Sequence, residues 1–580
     1  MERTPTLVRM LSVLFIGLVP IHHCRAQFAT AVSQISGSNG TLAFEPSFDP
    51  FGNLFVTGTF RGTCDFDPGA GSYPVVGIGL DNIWVARYGT DRTPDWVARL
   101  GGGAWLDQPR GLATGSLGQC VVAGIFLDSG DFDPGPGIST LNALDESDIY
   151  VAQLDSMGSL DWLIHLPDSS YDQVWDVGID SYNNVYMTVG GLDSVDLDPG
   201  PGTTLAYSPS GVNGLVKYDQ NGAYVWSALL PVDFEQLFID ANDNVLAVGA
   251  FYGTFDLDPG SGVTLVDAAD GEMLVVEYAP NGTVNWYTQF AQTVPGSWGL
   301  RVADIEKDQN DDLFITGALL GTGVDLDPGP GQTMVGSSDN GDADWFCMKM
   351  TTAGGFQWGV AGGSTYNEYI SDLTLTTSGS VHLAVSYGGP HDVDPGPGIW
   401  MAATHGAPTF GSSDDDALLL TLSSSGVFEQ ATPIWALGGV YFAGTTWGPM
   451  GELIAVGYFS DSLTFAPPNG TGLQANGLTD VFICELDPEF QTGLSEIAHN
   501  MILAYPNPAT NEACVLGLDG HLVTWQLYDT RGRLVLDEAG RSPGSDRIDV
   551  SRLDPGSYFL RVIGSGGTVL TGKLMVTATP

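Results

Sequence analysis

Short apolar runs return along this chain at nearly even spacing, and their pattern is that of strands. One set reads NLFVTGTF (Asn53–Phe60), QCVVAGIF (Gln119–Phe126) and NVLAVGAF (Asn244–Phe251), with relatives at Asn184, Asp312, Ser380 and Glu452. A second set follows each of these: NIWVARY from Asn82, DIYVAQL from Asp148, VNGLVKY from Val212, EMLVVEY from Glu272, DWFCMKM from Asp344, DALLLTL from Asp416 and DVFICEL from Asp480. The runs are short, β-branched and aromatic, and are bounded by Gly, Asn and Asp, which predicts strands rather than helices. Most units add a Gly turn with Trp four residues later, as at Gly158/Trp162, Gly222/Trp226, Gly282/Trp286 and Gly354/Trp358. A weaker stretch such as RGLATG (Arg110–Gly115) precedes the first run. Four strands per unit and seven units predict an all-β fold, a seven-bladed β-propeller. The two middle strands are nearly all apolar, as expected where blades stack face to face.

Between the two apolar runs lies a D-x-D-P-G element. Its aspartate pairs are Asp65 and Asp67, Asp131 and Asp133, Asp196 and Asp198, Asp256 and Asp258, Asp325 and Asp327, and Asp392 and Asp394. A degenerate seventh copy, TFAPPNG from Thr464, has lost both acids. Three readings are open. The element is a turn, in which Asp accepts backbone N–H bonds, Pro fixes φ and Gly relieves the backbone; it is such a turn with bound calcium; or it contacts a ligand directly. Calcium takes six to eight oxygens, and two side chains plus a few carbonyls fall short of that alone. With strands ordered from inside to outside, the six copies are expected to ring one face.

The ends bear on closure. The seventh unit has no Trp strand after DVFICEL, whereas AVSQISG (Ala31–Gly37) near the N-terminus aligns with WVARLGG (Trp96–Gly102). The first strand is therefore expected to complete the last blade, which removes open sheet edges.

Composition narrows the class. The chain has 580 residues, of which 78 are Gly, and only 15% are charged, a turn-rich β balance. Its net charge of −49 sits in the middle region, since residues 27–490 hold 9 basic and 58 acidic side chains. Such a field disfavours nucleic acid and anionic lipid. Residues 1–26 read as a signal peptide: Arg3 and Arg9 precede the apolar LSVLFIGLVPI, and CRA ends at Ala26. No other stretch is long and apolar enough for a membrane helix. Five cysteines remain beyond that point, Cys64, Cys120, Cys347, Cys484 and Cys514, in neither a zinc nor a disulfide spacing. They are expected to be buried thiols.

The pattern W-x-x-x-L-G-G, then D, then G-N-x-[YF]-V-x-G, resembles the bacterial propeller repeats called SBBP repeats, over residues 27–490. After a linker at 491–502 the period stops. Residues 503–580 carry YPNP (Tyr505–Pro508), LYDTRGR (Leu527–Arg533) and LDPGSYFLRV (Leu553–Val562), short strands that suggest a small β-sandwich. These motifs resemble the type A C-terminal sorting domain of the type IX secretion system of Bacteroidota. The resemblance implies passage through an outer-membrane translocon to the cell surface or medium, followed by removal of the domain.

Catalytic motifs are missing: there is no G-x-S-x-G, H-E-x-x-H, Walker loop or C-x-x-C. His382, His391 and His405 cluster in the sixth unit as candidate metal ligands. Trp105, Trp175, Trp298 and Trp447 fall near blade-linking loops, where sugar stacking is an option beside packing. The expectation is an exported binding or adhesion module for a glycan or protein. The alternatives are a hydrolase or lyase with its site on the propeller rim, and a calcium-stabilised structural surface protein.

Overall fold

A computed structural model describes residues 29–486 apart from short internal stretches (104–105, 145, 168, 170, 291–298, 337–342, 353, 405–414, 449–450 and 466–471), together with strands between 503 and 576. Every regular element it describes is a β-strand. Seven antiparallel sheets, five of four strands and two extended to six by a neighbouring hairpin, follow one another, forming a seven-bladed propeller. Blade 1 comprises Thr41–Phe48, Leu54–Phe60, Asn82–Tyr88 and Pro94–Leu100. Blades 2 to 6 span 108–166, 173–230, 232–290, 300–362 and 368–436, and blade 7 begins with Val440–Trp447. The strand Ala29–Gly37 pairs with Asp480–Leu486, the third strand of that last sheet. The first strand of each blade touches the first strands of both neighbours, around to Val440–Trp447 against Thr41–Phe48. First strands therefore line the centre of the ring.

The middle strands are the core. Leu54–Phe60, Cys120–Phe126, Asp148–Leu154, Val381–Tyr387 and Asp416–Leu422 are buried at every position, because each lies between two blades. Cys64, Cys120, Cys347 and Cys484 are free and fully buried among them. Burial raises the pKa of all four thiols, which leaves them inert. Cys514 lies outside the residues with a described side chain.

Three repeated contacts lock blade to blade. On the outer strands, the repeat Trp donates from Nε1 to a carbonyl in the next blade's turn: Trp96 to Ser156, Trp162 to Gln220, Trp226 to Pro280 and Trp358 to Ser424, at 3.0–3.2 Å. The ring lies so close over the turn glycine, as Trp96 over Gly158 at φ 79°, that a Cβ there would meet it. This explains why Gly and Trp travel together in the sequence. At the centre, a carboxylate of one first strand accepts an N–H of the next. Asp176 takes Leu237 N, Glu235 takes Val302 N and Asp304 takes Leu373 N, at 2.7–2.9 Å. The third lock is the D-x-D-P-G hairpin described below.

Contact clustering separates residues 1–488 from 489–580. The second unit contains a three-stranded sheet (Leu503–Tyr505, Glu512–Leu516, Arg547–Asp549) and a four-stranded one (Leu522–Asp529, Leu534–Asp537, Gly556–Gly564, Val569–Val576).

Candidate functional site

Each D-x-D-P-G element sits between the second and third strands of its blade, and its geometry repeats six times. The first Asp accepts two backbone N–H bonds through Oδ1, one from the second Asp and one from eight residues on: Asp65 from Asp67 and Tyr73, Asp131 from Asp133 and Ser139, Asp392 from Asp394 and Trp400. Asp196, Asp256 and Asp325 do the same with Thr204, Thr264 and Thr333. The second Asp accepts the Gly two residues on at 2.7–2.8 Å, in Asp67, Asp133, Asp198, Asp258, Asp327 and Asp394 alike. Its Oδ2 lies against the second motif glycine, so that a Cβ at Gly137 would collide with Asp133. Burial pushes the Asp65 carboxyl up, but the bonds from Tyr73, Ser72 and Asp67 outweigh it and hold the group below the usual range.

The residue between the two acids carries more weight than the acids. Phe66, Phe132, Leu197, Leu257, Leu326 and Val393 are all 0% exposed. In extended backbone the apolar residue turns in and both carboxylates turn out. Tyr88, Tyr218 and Tyr278, at the far ends of third strands, donate to the carbonyls of Phe66, Leu197 and Leu257. A buried side chain and a tyrosine bond therefore anchor these turns against their own blades. Hairpin backbone also pairs with the preceding blade's outer strand: Asp65 with Ser36, Asp131 with Gly101 and Phe465 with Ile434. The last belongs to the copy without aspartates, which docks all the same.

His382 and His391 lie apart. His382 is buried on the second strand of blade 6, with Nδ1 2.9 Å from Thr421 Oγ1, and burial lowers its pKa to about 4. His391 is buried beyond the other end of that strand, with Nδ1 3.1 Å from the Gly389 carbonyl. His405 lies outside the described residues, as do Trp105 and Trp298. Trp175 sits on the first strand of blade 3 and Trp447 packs 6.0 Å from His382. Among the described residues no group of three or more His, Cys, Asp or Glu is placed to hold a metal ion.

Charge not anticipated from the sequence gathers at the centre. Burial raises the carboxyl pKa of Glu45, with Asp176 and Asp372 adding to it. Burial likewise lifts Asp176 to about 6, and burial with Asp372 lifts Glu306 to about 8. Burial, with Asp372 adding to it, raises Asp304, and burial raises Asp372 against the opposing hydrogen bonds from Asp304 and Thr445. Burial at the ring's centre thus opposes ionisation of these first-strand carboxyls.

On the face opposite the loops between second and third strands, a groove of about 490 Å3 opens between blades 2 and 3. It is lined by Trp162, by the carboxamides of Gln119, Gln153, Asn183, Gln220 and Asn221, and by Asp155 and Asp161. Asn183 Oδ1 accepts Ser116 N–H and hydroxyl across the blade boundary, both at 3.0 Å. Gln153 Nε2 donates to Asp161 at 3.3 Å. The sequence signal for this site is the sixth position of the second apolar run, which reads Arg87, Gln153, Lys217, Glu277, Lys349, Thr421 and Glu485. Comparing those positions across units, rather than the shared motif, points to blade 2.

Residues 503–577 match the family described as the secretion system C-terminal sorting domain. This domain marks the chain for export through the type IX system, to the cell surface or the medium. A comparison with curated proteins returned no match. Among solved structures, the chain is similar to a protein of unknown function from Bacteroides caccae, at 12% identity over 62% of this chain and 97% of the other, TM-score 0.29. It is also similar to a polysaccharide lyase, an ulvan lyase, at 10% identity over 75% and 93%, TM-score 0.36.

Proposed function

We propose that this chain is an exported recognition module, a rigid ring delivered by its C-terminal domain and binding an extracellular ligand in the groove between blades 2 and 3. In this reading Ala29–Gly37 closes the ring and the two C-terminal sheets form a sandwich that meets the translocon. The observation that carries it is the groove itself: a concave, amide-lined site of small-molecule size in a framework whose repeated polar groups are engaged in holding blades together. The test is to express the full chain in a type IX-competent host and fractionate it. The secreted protein is then incubated with labelled surface polysaccharide and protein. Retention without turnover supports the reading; release of product from a polymer overturns it in favour of a hydrolase or lyase.

Calcium binding at the aspartate pairs is a separate proposal. It is supported by the alternation of the extended backbone, which turns both carboxylates of a pair to the side opposite the buried middle residue. Thermal melting with added calcium and with chelator decides it. A clear upward shift with calcium supports it, and superimposable melts overturn it.

A further inference from the structure

Every blade but the second fills the same space with a cation or a histidine. In blade 1, Arg87 donates to the Ser156 carbonyl of the next blade at 2.8 Å and lies 3.9 Å from Asp49. In blade 3, Lys217 reaches Asp180 at 3.4 Å, the Tyr186 hydroxyl, and the Pro280 carbonyl of the next blade at 3.0 Å. In blade 5, Lys349 pairs with Asp308 and Asp312 at 3.0 and 3.1 Å. Blades 4 and 7 carry an acid instead, met by a base from the following blade: Glu277 with Lys307 at 2.8 Å, and Glu485 with Arg92 at 2.9 Å. Blade 6 has Thr421, bonded to His382.

Blade 2 lacks both halves of the pair. Gln153 stands where the base or acid belongs, and Gly115 where Asp49, Asp180, Asp240 and Asp308 open the equivalent turns. The Gln220 carbonyl, equivalent to the lysine-bound Pro280 carbonyl, faces this space. Gln153 is only 7% exposed, and its amide oxygen has no hydrogen-bond partner. An unmatched buried acceptor costs free energy, so the packing that every other blade completes is left incomplete here.

Resting on the recognition reading above, we infer that the groove between blades 2 and 3 binds a neutral carbohydrate. Five Gln and Asn residues line the groove, and those amide groups not already bonded within the protein match hydroxyl groups, which both donate and accept. Asp155 and Asp161 accept hydroxyl protons, and the Trp162 ring supplies an apolar surface for the C–H face of a sugar. No Lys or Arg lines the groove, and the chain carries −49, so uronate and sulfated chains are disfavoured.

The test uses the full-length secreted protein on a panel of short neutral glucan, mannan and galactan oligosaccharides, with uronate-containing and sulfated chains and a Lys-rich peptide as contrasts. Gln153→Lys copies the residue of blades 3 and 5, sends an ammonium toward the Gln220 carbonyl and fills the groove. Trp162→Ala removes the ring. Wild type is expected to bind a neutral oligosaccharide, weakened at least about 10-fold in both variants, with Gln153→Lys melting no lower than wild type. Equal glycan binding by wild type and Gln153→Lys overturns the groove assignment and leaves the recognition reading standing. Binding of the peptide or of acidic chains in place of neutral ones overturns the carbohydrate class. No binding to any surface polysaccharide or protein overturns the recognition reading itself.

Discussion

Blades 2 and 3 share one plan of four strands, and at their outer boundaries they differ at two telling positions. Blade 3 closes its boundary with blade 4 by burying Lys217 against Asp180, Tyr186 and a carbonyl of its neighbour. Blade 2 has Gln153 and Gly115 at those positions, and its boundary with blade 3 holds a groove of about 490 Å3. Repetition in this chain marks what every blade needs in order to stack. The departure from repetition marks the place with room for something else. The aspartate turns teach the same lesson from the other side, since the most conspicuous motif is a clasp whose buried centre is its apolar residue.

The largest effect is expected from breaking a clasp that all blades share. Phe132→Ala removes a fully buried ring from the turn of blade 2, and a loss of about 4 kcal/mol in urea unfolding is the expected result. Loss of a closed boundary ranks next. Lys349→Ala leaves Asp308 and Asp312 without their shared base and is expected to lower stability by about 3 kcal/mol, measured in the same way.

A smaller effect sharpens the comparison between the acids of the centre and those of the turns. Glu306 has its pKa raised from 4.5 to about 8, so between those values the folded ring binds a proton that the unfolded chain has released. Stability therefore falls as pH rises from about 4.5 to about 8, and is flat in this group above that. Glu306→Gln keeps an acceptor for Leu375 N–H and removes the titration. The gain expected at pH 8 is on the order of 1–2 kcal/mol, with none at pH 4. Melting midpoints of the two proteins across that range check it. Smallest of all is Asp133→Asn, which keeps an acceptor for Gly135 N–H on a partly exposed turn, and a change under about 1 kcal/mol is expected by melting.

Blade number and strand order are legible in the sequence because burial between blades forces apolar runs at a fixed period. The sorting domain is legible because YPNP, LYDTRGR and LDPGSYFLRV are local motifs. The aspartate turns mislead on emphasis: their acids suggest a ligand site, whereas Phe66 and its five buried counterparts anchor the turns against the blades. That signal was present, since the residue between the acids is apolar in all six copies. The central carboxyls are harder to see. Asp176, Asp304 and Asp372 stand on the weakest strand of each unit, and only the curvature of the ring brings them together. The groove lies in between, visible at Gln153 once units are compared position by position.

The reciprocal exchange tests the account most directly, by thermal melting of Lys217→Gln and Gln153→Lys beside the wild type. Lys217→Gln opens a closed boundary and is expected to melt several degrees lower, while Gln153→Lys closes the open one and melts at or above wild type. If both variants fall equally, the boundary between blades 2 and 3 was never relieved of a stabilising pair, and the contrast between the two blades is contradicted.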